Sequence, residues 1–360
     1  MNPPKDCLVN VVPFNDLLLI VSGRFLTSAR IHDEEWLTEN KLHDPETLID
    51  TMKKEHPYID IFSFSQKLPD VLPKYEYSME WDNLAVIYVS SFEAWWKCLP
   101  QVTRKNVRRS AKRGVVVRPV PFDDDLVNGI SLIYNETPIR QGRRFWHYNK
   151  NIAIVKRENC SYLENSEFIG AYFNNQLIGF IKIVYSGVEA RIMQIVSMIK
   201  HQDKRTTNAL ISKAVEMCAT RKMKYFIYGK YVYGKRQNSP MTEFKKRNGF
   251  VMVNVPRYFI PLSKKGEIAL KTGFHKGLEG ILPGRIINAM IDCRVKFYEK
   301  IYRRFINKRE IDPDDGSCQY GPFEEGGESA PIGRGFKKFP HRGGAARPPE
   351  GTGRGVAPPL

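Results

Sequence analysis

The chain has 360 residues, 42% of them hydrophobic, which is enough apolar mass for two domains or one large one and excludes a wholly disordered polypeptide. Its formal net charge of +17 favours anionic partners (nucleic acid, a phosphorylated substrate or an anionic membrane face) and does not choose among them. The basic excess belongs to the residues before Glu310, because acidic and basic residues nearly balance after it. Segment 310–360 is rich in Gly and Pro, has no apolar periodicity, and is expected to be a disordered tail.

In chain order, "DCLVNVVPFNDLLLIVSGRF" reads as one or two strands. Its run "LLLIVSG" is too short to span a bilayer and no other segment approaches that length, so a cytoplasmic location is expected. "DPETLIDTMKKEH" reads as a helix with Pro45 in its first turn, and "YIDIFSFSQ" and "NLAVIYVSS" as strands. "SFEAWWKCLPQVTRKNVRRSAKRG" reads as helical, broken or kinked at Pro100 and stopped at Gly114, with the strand "VVVRPVPF" after it. The aspartates at 123–125 cap a helix, and "EFIGAYFNNQLIGFIKIVYSG" is a β-hairpin about Asn174 and Asn175. The strand "EARIMQIVSMI", the polar loop "KHQDKRTT" and an amphipathic helix carrying Leu210, Ile211, Ala214, Val215 and Cys218 follow. Then come the strand "YFIYGKYVYG", the short helix "SPMTEFKKRNG", a final strand or pair in "FVMVNVPRYFIPL", and helices within 264–309. No Gly-rich loop follows a strand, and neither H-E-x-x-H nor G-x-S-x-G occurs, so dinucleotide, P-loop, zincin and serine-hydrolase readings drop out. The six cysteines are scattered without a C-x-x-C pair, so no metal site is expected and reduced thiols are the plain reading. The fold class is α/β with a mixed sheet splayed at its centre.

That order resembles the GNAT acyltransferase superfamily, and more closely its Fem-type branch of aminoacyltransferases and acetyltransferase-like relatives. Three stretches carry the resemblance: "AVIYVSSFEAWWKCLPQVTRKNVRRSAKRGVVV", "EFIGAYFNNQLIGFIKI" and "MTEFKKRNGFVMV". It implies two tandem GNAT-like halves. Residues 1–114 would be a divergent first half ending in a basic inter-domain helix, 115–262 the acyltransferase domain, 263–309 a helical extension and 310–360 the tail. It also implies transfer of an acyl or aminoacyl group from acyl-CoA or charged tRNA to an amine acceptor, with no tightly bound cofactor and acyl-CoA only as a co-substrate. Direct attack is expected, since no cysteine or serine elbow offers a covalent nucleophile. One departure matters. The phosphate loop of common GNAT enzymes, Q/R-x-x-G-x-G/A, corresponds to "KHQDKRTTNAL", which has no glycine. Phosphate would then be met by the side chains of Lys204, Arg205, Thr206 and Thr207 and by the helix start at Asn208.

The resemblance places Lys245 beside the acyl donor, where a cation could stabilise the oxyanion or the leaving oxygen; the alternative is a solvated lysine, since Lys246 and Arg247 follow it. Phe244 and Tyr231 are candidate substrate contacts. Tyr228 is a candidate proton donor, against the alternative that these alternating tyrosines line a half-buried strand. In "NETPIRQGRRFWHY", Pro138 and Gly142 imply a loop; Arg140, Arg143, Arg144 and His147 could hold an anionic acceptor group and Glu136 could act as base. The alternative there is a structured loop whose arginines pair with the aspartates at 123–125. The helix "TRKNVRRSAK" carries Arg104, Lys105, Arg108, Arg109 and Lys112 in two adjacent stripes, with Val107 and Ala111 as a narrow apolar face. Its charges could face an anionic donor or acceptor, tRNA among them, or simply solvent. A second class of reading is a non-catalytic RNA-binding protein on a degenerate GNAT scaffold. Segment 293–309 is a basic amphipathic helix that either docks on the body or makes weak peripheral membrane contact.

Overall fold

A computed structural model describes residues 10–14, 17–36, 45–233, 239–277 and 283–311. The 310–360 tail lies outside them apart from its first two residues. The N-terminal strands are β1 (Asn10–Phe14), β2 (Leu17–Ser22), β3 (Ser28–Ile31), β4 (Ile61–Ser65) and β5 (Ser78–Tyr88), with α1 (Pro45–Glu55) between β3 and β4. Leu48, Ile49 and Met52 of α1 are buried at helical spacing and join Phe14, Leu19, Phe62 and Phe64 in a first core. Next come α2 (Phe92–Cys98) and α3 (Gln101–Lys112), the break falling at Pro100 as expected, and Gly114 takes φ +80 where the helix stops.

The second half holds β6 (Val116–Val120), α4 (Asp124–Tyr134), a small hairpin of β7 (Ile139–Arg140) and β8 (Arg143–Arg144), and α5 (Ile152–Asn159). It continues through β9 (Ser166–Phe173), β10 (Gln176–Ser186), β11 (Glu189–Ser197), α6 (Thr206–Thr220), β12 (Tyr225–Lys230), α7 (Pro240–Arg247) and β13 (Val251–Pro261). The β9–β10 turn is the two-residue one expected: Asn174 and Asn175 both have positive φ, and Phe173 pairs with Gln176. After β13 come α8 (Lys264–Thr272) and α9 (Gly284–Ile311).

The main strands form one eleven-stranded mixed sheet in the order β1-β2-β3-β4-β13-β5-β12-β11-β10-β9-β6. A clean division at residue 114 is therefore not what the chain does. β13 inserts antiparallel between β4 and β5, and its Tyr258 and Ile260 belong to the first core. In the second half, Gly179 faces Thr206 of α6 while its neighbour Phe180 meets Tyr134 of α4. Adjacent strand residues point to opposite faces, so α4 and α6 cover the two sides of the same sheet.

Candidate active site at a parted strand pair

β11 and β12 are parallel neighbours only at Glu189↔Tyr225, Ala190↔Phe226 and Arg191↔Ile227, although β11 runs on to Ser197 and β12 to Lys230. Two local features force the strands apart. β11 carries an extra residue, Met193, because Lys182 pairs with Gln194 but Ile183 pairs with Ile192; a bulge sharpens the local twist. β12 breaks register with β5 between Ile227 and Lys230, where Gly229 takes φ +53. The residues beyond the last pair, Met193 to Ser197 and Tyr228 to Gly229, are half-buried on an open edge.

On the α6 side of this gap, α7 begins at Ser239, whose hydroxyl accepts from Thr242 N, with Pro240 in the first turn. Its C-terminus is clamped by three hydrogen bonds: Trp95 Nε1 donates to the Asn248 carbonyl at 3.1 Å, Thr103 Oγ1 to that of Arg247 at 2.8 Å, and Asn208 Nδ2 to Asn248 Oδ1 at 2.9 Å. This turns Thr242 and Lys245 inward. Lys245 is 0% exposed, which overturns the solvated-lysine alternative. Its amine donates to the Lys230 carbonyl and lies 4.5 Å from the Tyr228 ring centre and 4.7 Å from that of Tyr233. Burial lowers its pKa from 10.5 to about 7, so it is far less firmly cationic than the oxyanion role assumes. Burial raises the pKa of the Tyr228 phenol, which keeps its proton. Phe244 and Tyr231 are half-buried and pack against the core of the second half, in which Phe180, Phe226 and Phe250 are buried.

The α6 N-terminus abuts the end of β11. Thr207 Oγ1 lies 3.0 Å from Ser197 Oγ, Thr206 is buried, and Asn208 is committed to Asn248. The expectation that Thr206 and Thr207 meet phosphate through their side chains therefore needs correction: both face inward, and the Asn208 side chain does too. Gly179 makes this fit, since a Cβ there would stand 2.9 Å from Thr206 Cγ2. Lys204 lies over the Phe173 ring and 3.6 Å from Asp203, and Arg205, at φ +56, is exposed at the cap. What remains for an anion is the helix start itself, flanked by these two cations.

On the α4 side, the loop 135–148 is built around the β7–β8 hairpin, whose turn residues Gln141 and Gly142 both have positive φ. Here three expectations are corrected. Arg140 donates to the carbonyls of Ser197 (2.7 Å) and Ile133 (3.0 Å) and to Glu136 Oε2 (2.9 Å), so it ties the loop to the end of β11 and does not hold an acceptor. Glu136 also accepts from the backbone N–H groups of Ile199 (2.7 Å) and Lys200 (2.8 Å); a carboxylate so occupied is an anchor, not a base. The aspartates are engaged elsewhere: Asp123 caps α4 and Asp124 pairs with Lys156. His147 is also structural. It is buried, stacks on Tyr134 at 4.3 Å, and its Nε2 lies 3.0 Å from Gln194 Nε2. Since Tyr134 donates to Gln194 Oε1, the amide donates to His147, and burial lowers the imidazole pKa and keeps it neutral. Arg143 is exposed and Arg144 half-buried on β8.

No protein-family model matches the sequence, and no curated protein matches it. Among solved structures, a domain assigned to a lysylphosphatidylglycerol synthetase of Agrobacterium fabrum is similar over 72% of this chain and 86% of its own, at 12% identity and TM-score 0.49. L-PGS from Bacillus licheniformis is similar over 71% and 84% (10% identity, TM-score 0.48), and FemX over 68% and 86% (10% identity, TM-score 0.45). The strand order, the β11 bulge and the parted edge decide the architecture. The fold is GNAT-like.

Within this GNAT-like frame α3 packs against α6 and the turn before it. Its buried residues are Thr103 and Ser110, with Asn106 and Val107 half-buried between them, whereas Ala111 is exposed. The apolar face expected from Val107 and Ala111 is thus rotated. Lys105, Arg108, Arg109 and Lys112 are exposed; Arg104 is half-buried and donates to the Lys97 carbonyl at 3.3 Å. Just past α3, Arg113 pairs with Asp203 at 2.7 Å, which places the basic face next to the α6 N-terminus. Sequence reasoning missed Gly229 and Met193. A glycine within a tyrosine-rich strand was the readable signal for the first; nothing local marked the second.

Proposed function

We propose that an acyl or aminoacyl group passes from an activated donor to an amine in the gap between β11 and β12. The parting of these strands beyond Arg191 and Ile227 carries the reading, since it leaves an open edge flanked by α6 on one face of the sheet and the 135–148 loop near the other. The donor's phosphate sits at the α6 N-terminus and its carbonyl enters the gap; the amine comes from the α4 side. The nitrogen attacks the carbonyl carbon, an N–C bond forms, and the bond to the donor oxygen or sulfur breaks. Tyr228 gives its proton to the leaving atom and regains one from the attacking nitrogen. Lys245, beneath Tyr228, positions the phenol and Lys230. Charged tRNA is favoured over acyl-CoA because the exposed cations of α3 continue the phosphate site, and "KHQDKRTTNAL" lacks the glycine that brings backbone amides close to a pyrophosphate.

The test is a thermal-shift panel of acetyl-CoA, longer acyl-CoAs, and charged and uncharged tRNA. Charged tRNA should raise the melting temperature, less so as salt increases, and Arg205→Glu should reduce the shift. If no donor shifts the protein, the proposal fails. The second reading, an RNA-binding protein, rests on the same α3 face; it gains if charged and uncharged tRNA bind alike and no label reaches any amine.

A further inference from the structure

The transfer reading leaves α9 unused. One side of this helix touches the body: Ile287 is buried, and Val295 sits so close to the β7–β8 turn that a Cβ on Gly142 would lie 2.8 Å from Val295 Cγ1. A different side faces outward with bulky apolar groups. Ile286, Met290 and Phe297 are 47%, 54% and 60% exposed, and Cys293 between them is exposed. Positions 286, 290, 293 and 297 follow helical spacing and form one stripe. Arg285, Lys296 and Lys300 are exposed beside it. Leaving a continuous apolar stripe in water is costly, and long cationic side chains on its margins suit a partner that is apolar within and anionic at its rim.

We propose that this stripe seats the protein on an anionic lipid surface, with Ile286, Met290 and Phe297 at the headgroup boundary and the flanking cations against lipid phosphates. The other occupants fit less well. A second copy of the chain, stripe to stripe, would bring the cations Arg285, Lys296 and Lys300 near those of its partner, with the exposed Asp292 a single acid among the described side chains of α9 to offset them. RNA would use the cations and leave the apolar side chains wet. Among the described residues no helix is long and apolar enough to cross a membrane, so α9 lies on the surface. The charge of the whole chain, +17, works in the same direction.

The experiment is co-sedimentation of the full chain with vesicles of equimolar phosphatidylglycerol and phosphatidylcholine, against phosphatidylcholine alone. Binding should be on the order of tenfold stronger to the anionic vesicles and should weaken with salt. Ile286→Glu, Met290→Glu and Phe297→Glu together should abolish it, and Lys296→Glu with Lys300→Glu should reduce it by about tenfold or more. Phe297→Trp should be quenched by brominated lipid, a readout that keeps the fold intact. Arg108→Glu with Lys112→Glu on α3, an equal change in net charge, should weaken binding far less than the α9 pair does. The proposal is overturned by equal affinity for both vesicles, by vesicle binding that survives the α9 changes or is lost with the α3 changes, or by α9-dependent self-association without vesicle binding.

Discussion

A lysine amine surrounded by one carbonyl and two phenol rings gains little from its proton, and Lys245 is in that position. Its folded pKa, about 7, lies below the 10.5 of the free side chain, so between those values the unfolded chain binds a proton that the native state has released. Stability therefore climbs as pH rises through that window, and below it the fold carries the full cost of a buried cation, a few kcal/mol in order of magnitude. Replacing the amine, as in Lys245→Met, should flatten that climb: denaturant midpoints of the two proteins should converge from pH 7 upward, and parallel curves would contradict the assignment. Glu136 makes a different prediction. Glu136→Gln cannot accept from Arg140, Ile199 and Lys200 as the carboxylate does, and should cost about 1–3 kcal/mol in chemical unfolding without shifting any pH–rate profile. Neither role was legible beforehand, and for the same reason. In "TEFKKRNG" the inward positions Thr242 and Lys245 are polar, so no hydrophobic pattern marks the buried face; in "NETPIRQ" the pairing of Glu136 with Arg140 competes with a catalytic reading of the same residues.

At the scale of elements, the close seat of α6 on β10 is what sets its N-terminus beside the gap. Gly179→Val would drive a side chain into Thr206 and Ser197, whose atoms stand 2.9 and 3.0 Å from an ideal Cβ. The expected result is a loss of about 1–3 kcal/mol and a donor affinity that falls further than stability alone explains, measured by thermal shift with and without donor. The α3 surface is separable: Arg108→Ala with Lys112→Ala should leave the melting temperature unchanged and lower the slope of log affinity against log salt by about two for a nucleic-acid donor. The elements themselves were mostly readable. The Asn-Asn hairpin, the Pro100 break, the Gly114 stop and α6 lie where turn chemistry and periodicity put them. α3 shows the limit: its buried anchors Thr103 and Ser110 are polar, so apolar spacing points to Val107 and Ala111 instead.

For the molecule as a whole, the exchange of β13 into the first half is the feature no local pattern could announce. A strand's neighbours are chosen by the sheet, and "FVMVNVPRYFIPL" reads the same wherever it pairs. Arg257 of β13 binds Asp82 of β5 at 2.6 Å and Glu34 after β3 at 3.2 Å, which pins the exchanged strand. Arg257→Met, which leaves Asp82 with Lys230 alone at 3.5 Å and Glu34 with only the Ser65 N–H among these contacts, should cost about 3 kcal/mol. Residues 115–262 expressed alone lack β5 and should fail to fold, and the full chain should melt in one transition; a well-dispersed spectrum from that fragment would show that the halves are independent. The splayed sheet, by contrast, was foreseen from the order of elements, and the bulge at Met193 with Gly229 on β12 explains it. The most direct test of that gap as the transfer site is a single-turnover measurement of labelled acyl or aminoacyl transfer to an amine, using whichever donor binds, for the natural protein and Tyr228→Phe. The account predicts transfer about 100-fold slower or worse in the variant at unchanged donor affinity; equal rates would contradict it.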